Sequence, residues 1–478
     1  MSKKASLVWF RQDLRIADNP ALMAALERGG PISALYILDD EAPGPWARGA
    51  ASRWWLHHSL KALSEDLADL GLTLHLIAGH SELVLKDLVA SDDYAAIYWN
   101  RCYEPYARER DSALKSHFKE AGLEVQSFNA SLIVEPWTIA TQSGTPFRVF
   151  TPFWKAIKAG HEPERPLPRP SKAAKDGPKP AHACALADFK LLPTLPDWAG
   201  GMREAWTVGS SAAHGRLGQF IHEAITRYKS ERNLPAKPGT SRLSPHLHFG
   251  EISPREIWWA VQDHFAEAGL PDGAWTFLSE IAWREFSYNL LYHFPTFPEA
   301  NYQEKFNAFP WHKNEAGMKA WQRGQTGYPI VDAGMRELWH TGWMHNRVRM
   351  IVASFLIKHL LIDWREGEAW FWDTLVDADL ANNAASWQWV AGSGADAAPY
   401  FRIFNPITQG EKFDPDGAYI RQWVPELKDL PTKYIFAPWQ ADQHTLIKAG
   451  ITLGKTYPKP LVDHSEARNR ALEAFQAL

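Results

Sequence analysis

Five short apolar runs alternating with helical patterns fill roughly the first 130 residues and leave few folds open. The runs are Ser6–Phe10, Ile32–Leu38, Leu72–Ile77, Ala95–Trp99 and Leu123–Phe128. None exceeds seven residues and all are mostly apolar, as expected of strands buried on both faces. Between them, Asn19–Arg28 has Pro20 just inside its start and Gly29-Gly30 at its end. Ser52–Leu70 repeats Leu56, Leu60, Leu63, Leu67 and Leu70 at helical spacing and stops at Gly71; Ser81–Val89 and Pro105–Ala121 follow. This alternation predicts a doubly wound, parallel, five-stranded sheet with ligands at the C-terminal strand ends. After Phe10 comes Arg11-Gln12-Asp13-Leu14-Arg15 rather than G-x-G-x-x-G, so the domain does not read as an NAD-binding unit.

From Gly160 to Gly200 the pattern breaks on eight prolines, Pro163 to Pro196, which predict an extended surface connector rather than a packed element. Beyond it, Leu217–Arg227, Pro254–Glu267, Trp275–His293, Gly317–Arg323, Ile330–Thr341, Asn346–Ile362 and Glu366–Val376 place apolar residues at three- and four-residue steps. The chain thus divides into an α/β domain at 1–135, a linker at 136–200 and a large all-α domain at 201–478. Cys102 and Cys184 are the only cysteines, which excludes a disulfide scaffold and any four-cysteine iron–sulfur or zinc site; no metal is expected. The start, MSKKASLVWF, is no signal peptide, and no apolar stretch of about 18 residues is present, so a soluble cytoplasmic protein without a membrane partner is expected. A net charge of −4 confines any nucleic-acid contact to a local patch. Tryptophan is abundant, 24 of 478, and core filling accounts for most of it.

Four segments concentrate polar and aromatic side chains. Thr240-Ser241-Arg242-Leu243-Ser244, just before a helical pattern, carries three hydroxyls and a guanidinium that suit a phosphate; an ordinary capping turn is the alternative. In Glu280-Ile281-Ala282-Trp283-Arg284, Glu280, Trp283 and Arg284 share a helix face and can stack a base and bind its edge, or form a plain amphipathic helix. In Gly342–Met350, Asn346 and Met350 share a face, while Arg347 and Arg349 serve different partners. In Asp377–Trp389, Asn383 and Trp387 meet on one side, and Trp389 points away toward a separate pocket.

Together these segments, with Gly327–Arg336 and Trp387-Gln388-Trp389, resemble the photolyase/cryptochrome family of FAD proteins over nearly the whole chain. The resemblance implies a folded FAD in the helical domain and blue-light electron transfer to a cyclobutane pyrimidine dimer in UV-damaged DNA, by a protein expected to be monomeric. It implies that Tyr228 and Thr240, Ser241, Arg242, Leu243 and Ser244 contact the FAD phosphates and ribose. Arg349 and Asp377, with Ala378 and Asp379 beside them, adjoin the isoalloxazine, and Asn383 faces flavin N5. Trp387, Trp364 and Trp311 resemble the electron-hopping chain. Glu280, Trp283, Asn346, Met350 and Trp389 resemble the lesion-binding wall, with Arg284, Arg347, Arg402 and Gln409 as further DNA contacts. Glu104 resembles the carboxylate of an antenna site, for which 5,10-methenyltetrahydrofolate is expected and a deazaflavin is the alternative. An amide at 383 adds no negative charge beside the flavin, whereas an Asp disfavours its anionic reduced form. Asn346 and Met350 keep the dimer pocket, His345 is out of register for a (6-4) enzyme, and the region Asp332–Trp343 points to the bacterial class III branch. A light-signalling cryptochrome without repair and a dark flavin oxidoreductase remain as alternatives.

Overall fold

A computed structural model describes residues 4–90, 93–160, 162–171, 174–396 and 401–478. The five strands are β1 (Ala5–Phe10), β2 (Pro31–Leu38), β3 (Leu74–Ala78), β4 (Tyr94–Asn100) and β5 (Glu124–Phe128), parallel and ordered β3-β2-β1-β4-β5. Helices α1 (Pro20–Arg28), α2 (Ala50–Ala68), α3 (Ser81–Ala90) and α4 (Pro105–Glu120) cover them. Successive β1 residues point to opposite faces: Val8 and Phe10 pack with α1 and α2, Leu7 and Trp9 with α3 and α4. Burial on both sides is why the central strands read as continuous apolar runs. β5 departs from that expectation, since as an edge strand it buries only Val125 fully. The order reverses between β1 and β4, which opens a crevice at their C-terminal ends.

The 136–200 stretch is more than a connector. Helix α5 (Phe150–Gly160) buries Phe150, Phe153 and Ile157 in the core of the helical half. Lys175–Asp176 adds a short sixth strand, pairing with the start of β2, and Cys184 bridges to Leu76 of β3. Phe189 and Leu191 then join the core beside α2. The expected unpacked connector is therefore corrected: prolines exclude regular elements here but leave the apolar side chains between them free to bury. The segment also shields the β3 edge.

The helical half is built on α6 (Ser210–Glu223), α7 (Asp272–His293), α8 (Pro329–Thr341), α9 (Asn346–Ser354), α10 (Trp364–Thr374), α11 (Leu380–Ala391) and α12 (His464–Gln476), with shorter helices between. The long helix expected over 346–362 changes to π-helix at Phe355–His359. Contacts of α7 with α11, and of α10 with α11, bring the candidate segments together. No helix among the described residues is long and apolar enough to cross a membrane.

Candidate active site

A cavity of about 530 Å3 opens in the helical half between α7, α9, α10, α11 and the turn at 241–247. It gathers Tyr228, Ser241, Leu243, Ser244, Glu280, Trp283, Arg284, Asn346, Arg347, Arg349, Met350, Asp377, Ala378, Asp379, Asn383, Trp387 and Trp389. Trp389 and Trp387 border this one cavity, which corrects the expectation of a separate pocket for Trp389. Two residues apart on a helix, the rings point about 160° from one another, yet the cavity wraps around α11 far enough to meet both.

One wall is charged. Arg349 donates through Nη2 to Asp377 at 2.8 and 3.1 Å, and through Nε to the Met344 carbonyl at 2.7 Å. Asp379 caps α11, accepting from the Asn382 backbone N–H at 2.9 Å. Its other oxygen accepts from Tyr288 and lies 3.5 Å from His248 Nδ1. Burial opposes the charge of Asp379, but His248, Arg284 and Tyr288 outweigh it and hold the carboxyl well below the usual range. Asn383 is buried, and its amide nitrogen donates to the Glu368 carbonyl at 3.1 Å. That bond fixes the amide orientation and leaves Oδ1 as its free acceptor.

The opposite wall suits a planar, polar-edged ligand. Trp283 lies flat on Phe150, centroids 3.8 Å apart and planes 11° off parallel. Glu280, one helical turn earlier, pairs with Arg232; burial pushes its carboxyl up while Arg232 pulls it down. Tyr228 is buried, and the Arg232 guanidinium lies over its ring at 5.5 Å.

Trp387 packs against Phe371 and Trp321, centroids 5.0 and 6.3 Å away. Trp364, on α10, is buried in the same apolar cluster and donates through its indole N–H to Asn301 at 2.9 Å. Trp311 packs on the edge of that cluster, beside Phe309. Neither Trp364 nor Trp311 borders the cavity.

Other candidates are engaged differently from the expectation or lie outside this cavity. Arg284 was expected at a DNA rim, but its guanidinium turns inward, donating to the Ser131 carbonyl at 2.7 Å, pairing with Glu285 and covering the Tyr288 ring. It faces the cofactor wall because it is one residue, about 100°, past Trp283. Arg347 borders the cavity while donating to Asn233 at 2.9 and 3.1 Å. Arg402 is exposed and Gln409 half-buried, both outside the cavity. Thr240 and Arg242 face a different hollow. Glu104 is buried in the crevice at the ends of β1 and β4, with Trp9, Arg48 and Tyr106. Its Oε1 accepts from Gln12 at 2.7 Å, and its Oε2 has no hydrogen-bond partner among the described residues. His248 borders both this crevice and the large cavity, with Arg48 at 3.3 Å from its Nε2.

Sequence reasoning missed Phe150, Arg232, His248, Tyr288 and Gly367. Arg232 follows Tyr228 by four residues, a spacing that carried the signal. At Gly367 an added Cβ would meet the Trp387 ring at 2.1 Å, so the glycine makes room for that ring.

The FAD binding domain of DNA photolyase matches residues 277–477, and DNA photolyase matches residues 6–171. A deoxyribodipyrimidine photo-lyase of Agrobacterium fabrum is 54% identical over 477 residues, spanning 99% of this chain and 98% of its own. Cryptochrome-1 of Arabidopsis thaliana is 40% identical, spanning 99% of this chain and 70% of its own. A bacterial class III photolyase from Agrobacterium tumefaciens is similar in structure, with a TM-score of 0.96 and 52% identity over 100% of this chain and 98% of that one. A Synechocystis sp. cryptochrome follows with a TM-score of 0.90 and 30% identity over 99% of each chain.

Proposed function

The chain belongs to the photolyase/cryptochrome family, and from that membership we propose that it is a light-driven DNA-repair enzyme that splits cyclobutane pyrimidine dimers. The observation that carries this reading is one cavity bordered both by the Arg349–Asp377 and Asn383 wall and by Glu280, Trp283 and Trp389. The donor set fits FAD: hydroxyls of Ser241 and Ser244 for phosphate or ribose, the ion pair for the ring's polar edge, and Asn383 Oδ1 for the N5–H. When bound, FAD supplies a photoexcited electron donor. Glu280 hydrogen-bonds the pyrimidine edge, and Trp283 and Trp389 pack the everted rings, whose weakened pairing lowers the cost of flipping. Trp387, Trp364 and Trp311 relay electrons inward from the surface. Arg232 holds Glu280 in place, while Arg347 and Arg402 meet the DNA backbone.

In the crevice, the unpartnered Glu104 Oε2 suits an amino or ring N–H donor, and we assign it to the pterin of a reduced folate, 5,10-methenyltetrahydrofolate, as antenna. The protein acts as a cytoplasmic monomer on damaged DNA. The test is illumination of the purified protein with a thymine-dimer oligonucleotide. Flavin absorbance and dimer loss in blue light alone are expected. Absence of flavin, or turnover in the dark with NADPH, would refute the reading, and flavin without dimer loss would mark a light sensor instead.

A further inference from the structure

Behind the 240–244 turn lies a second cavity, of about 590 Å3, which the proposed function does not use. It shares Ser241 with the cofactor cavity but is otherwise lined by different residues. The Arg242 guanidinium lies between the Trp206 and Trp343 rings, 4.4 and 4.8 Å from their centroids. Arg216 reaches over Trp206 from α6, at 5.4 Å. Among the described residues neither arginine has an ion-pair or hydrogen-bond partner, and Arg242 Nε is buried without one.

His345 supplies a third donor. Its Nδ1 accepts from the Arg347 backbone N–H at 3.2 Å, so the neutral ring carries its proton on Nε2. Burial, with Arg347 and Arg349 nearby, pushes this ring down to about 3, so neutral is its form at ordinary pH. His345 is 2% exposed and borders the cavity, and its Nε2 has no hydrogen-bond partner among the described residues. Of the acids present, Glu337 attracts Arg242, but burial pushes its carboxyl up to about 7, so it compensates the guanidinium only in part. Glu337 accepts from the Tyr419 hydroxyl at 2.6 Å and from the backbone N–H of His345 at 3.3 Å. Glu204 faces His340 at 4.0 Å, and Glu223 accepts from Gln219 at 3.1 Å. Unpaired buried donors beside two like charges are costly, and an anion relieves both costs.

We propose that this cavity binds a phosphate-type dianion, inorganic or at the end of a nucleotide, held by Arg216, Arg242 and His345 Nε2–H. The bound anion lies behind the turn whose other side carries Ser241 and Ser244; that placement relative to the cofactor rests on the cofactor reading above. Arg242 takes a left-handed φ of +53°, a conformation that its surroundings must hold.

The test titrates the flavin-loaded protein with diphosphate by calorimetry, with inorganic phosphate and ADP as further arms. One site per chain is expected. Arg216→Ala, outside the cofactor cavity, should weaken it about tenfold while flavin content and light-driven repair stay unchanged. Tighter binding of ADP than of diphosphate identifies a nucleotide as the ligand; equal binding identifies the oxyanion alone. No binding to the loaded protein overturns the proposal. So does binding only after flavin is stripped, or flavin loss from Arg216→Ala, because the arginines would then belong to the cofactor's own diphosphate. A chain that purifies without flavin yet binds diphosphate through Arg216 would refute the cofactor reading and support this one.

Discussion

Gly367→Ala tests whether α10 is shaped around the Trp387 ring. The new Cβ would lie 2.1 Å from one ring carbon of Trp387, 2.5 Å from another and 2.7 Å from Leu356 Cδ2. Ordinary contact begins near 3.4 Å, so the ring or the helix must retreat by about 1.3 Å. Retreat is obstructed, because Phe371 and Trp321 flank the ring; the open direction is the cavity. Overpacking of this kind costs about 1–3 kcal/mol, which for a domain of this size lowers Tm by roughly 2–8 °C. Flavin affinity and light-driven flavin reduction should both fall, since the displaced ring intrudes where the cofactor is held. Gly215→Ala is the internal control. Gly215 is exposed on α6, with nothing within 4 Å of an added Cβ, so alanine there should stabilise by about 0.5–1 kcal/mol. Calorimetric melting and flavin retention on both variants decide the matter. A Gly367→Ala protein that melts like wild type and keeps its flavin would refute the packing argument.

Asn383→Asp replaces the donor to the Glu368 carbonyl with an acceptor and adds charge to the cofactor wall; the flavin's reduction potential should fall, and a redox titration that finds it unchanged contradicts the assigned role. Trp387→Phe should slow light-driven flavin reduction by orders of magnitude while chemically reduced enzyme still repairs; loss of both activities sinks the relay assignment. Stability should decline in acid. Burial, with neighbouring positive charge, pushes the His345 and His359 rings down to about 3 and that of His58 to about 4, so the unfolded chain takes up protons below about 6.5 that the folded chain refuses. The stabilisation is complete above pH 6.5 and shrinks by about 1.4 kcal/mol per pH unit for each ring as pH falls toward these values. His359→Gln should remove one ring's share of that slope in urea titrations at pH 7 and 5.5, and an unaltered slope would contradict the assignment.

The sheet was legible because strands buried on both faces have no polar side to show, and helix stops between them are marked by Gly29 and Gly71. The connector was misread because proline spacing reports backbone regularity and says nothing of where Phe189 and Leu191 go. On helices, spacing identified sets of residues on one face: Asn383 with Trp387, and Glu280 with Trp283, border the same cavity. It did not identify what each face meets. Arg284 borders the cavity with Trp283, yet its guanidinium engages the Ser131 carbonyl and Glu285 rather than a DNA rim. Gly367 carried no readable signal, since a helical glycine lowers helix propensity whether or not a ring lies against it.

The 240–244 turn makes the same point where no helix is involved, and it bears on the second cavity. Three hydroxyls and a guanidinium within five residues read as one phosphate cradle, but a turn cannot aim adjacent side chains the same way. Leu243 and Ser244 border the cofactor cavity, Thr240 and Arg242 border the hollow behind it, and Ser241 reaches both. The guanidinium that most suggested a phosphate site is therefore directed away from the cofactor wall, onto Trp206 and Trp343. A guanidinium desolvated against two indoles is compensated only in part by Glu337, which attracts it but whose burial pushes its own carboxyl up to about 7. Either the arginine serves only to fill space between rings, in which case Arg242→Met should preserve stability and anion titration should be silent, or its counter-charge is a ligand. The neutral His345, which borders the same hollow and whose buried Nε2–H is unpaired, favours the second, because a space-filling role gives no reason for a second orphaned donor there.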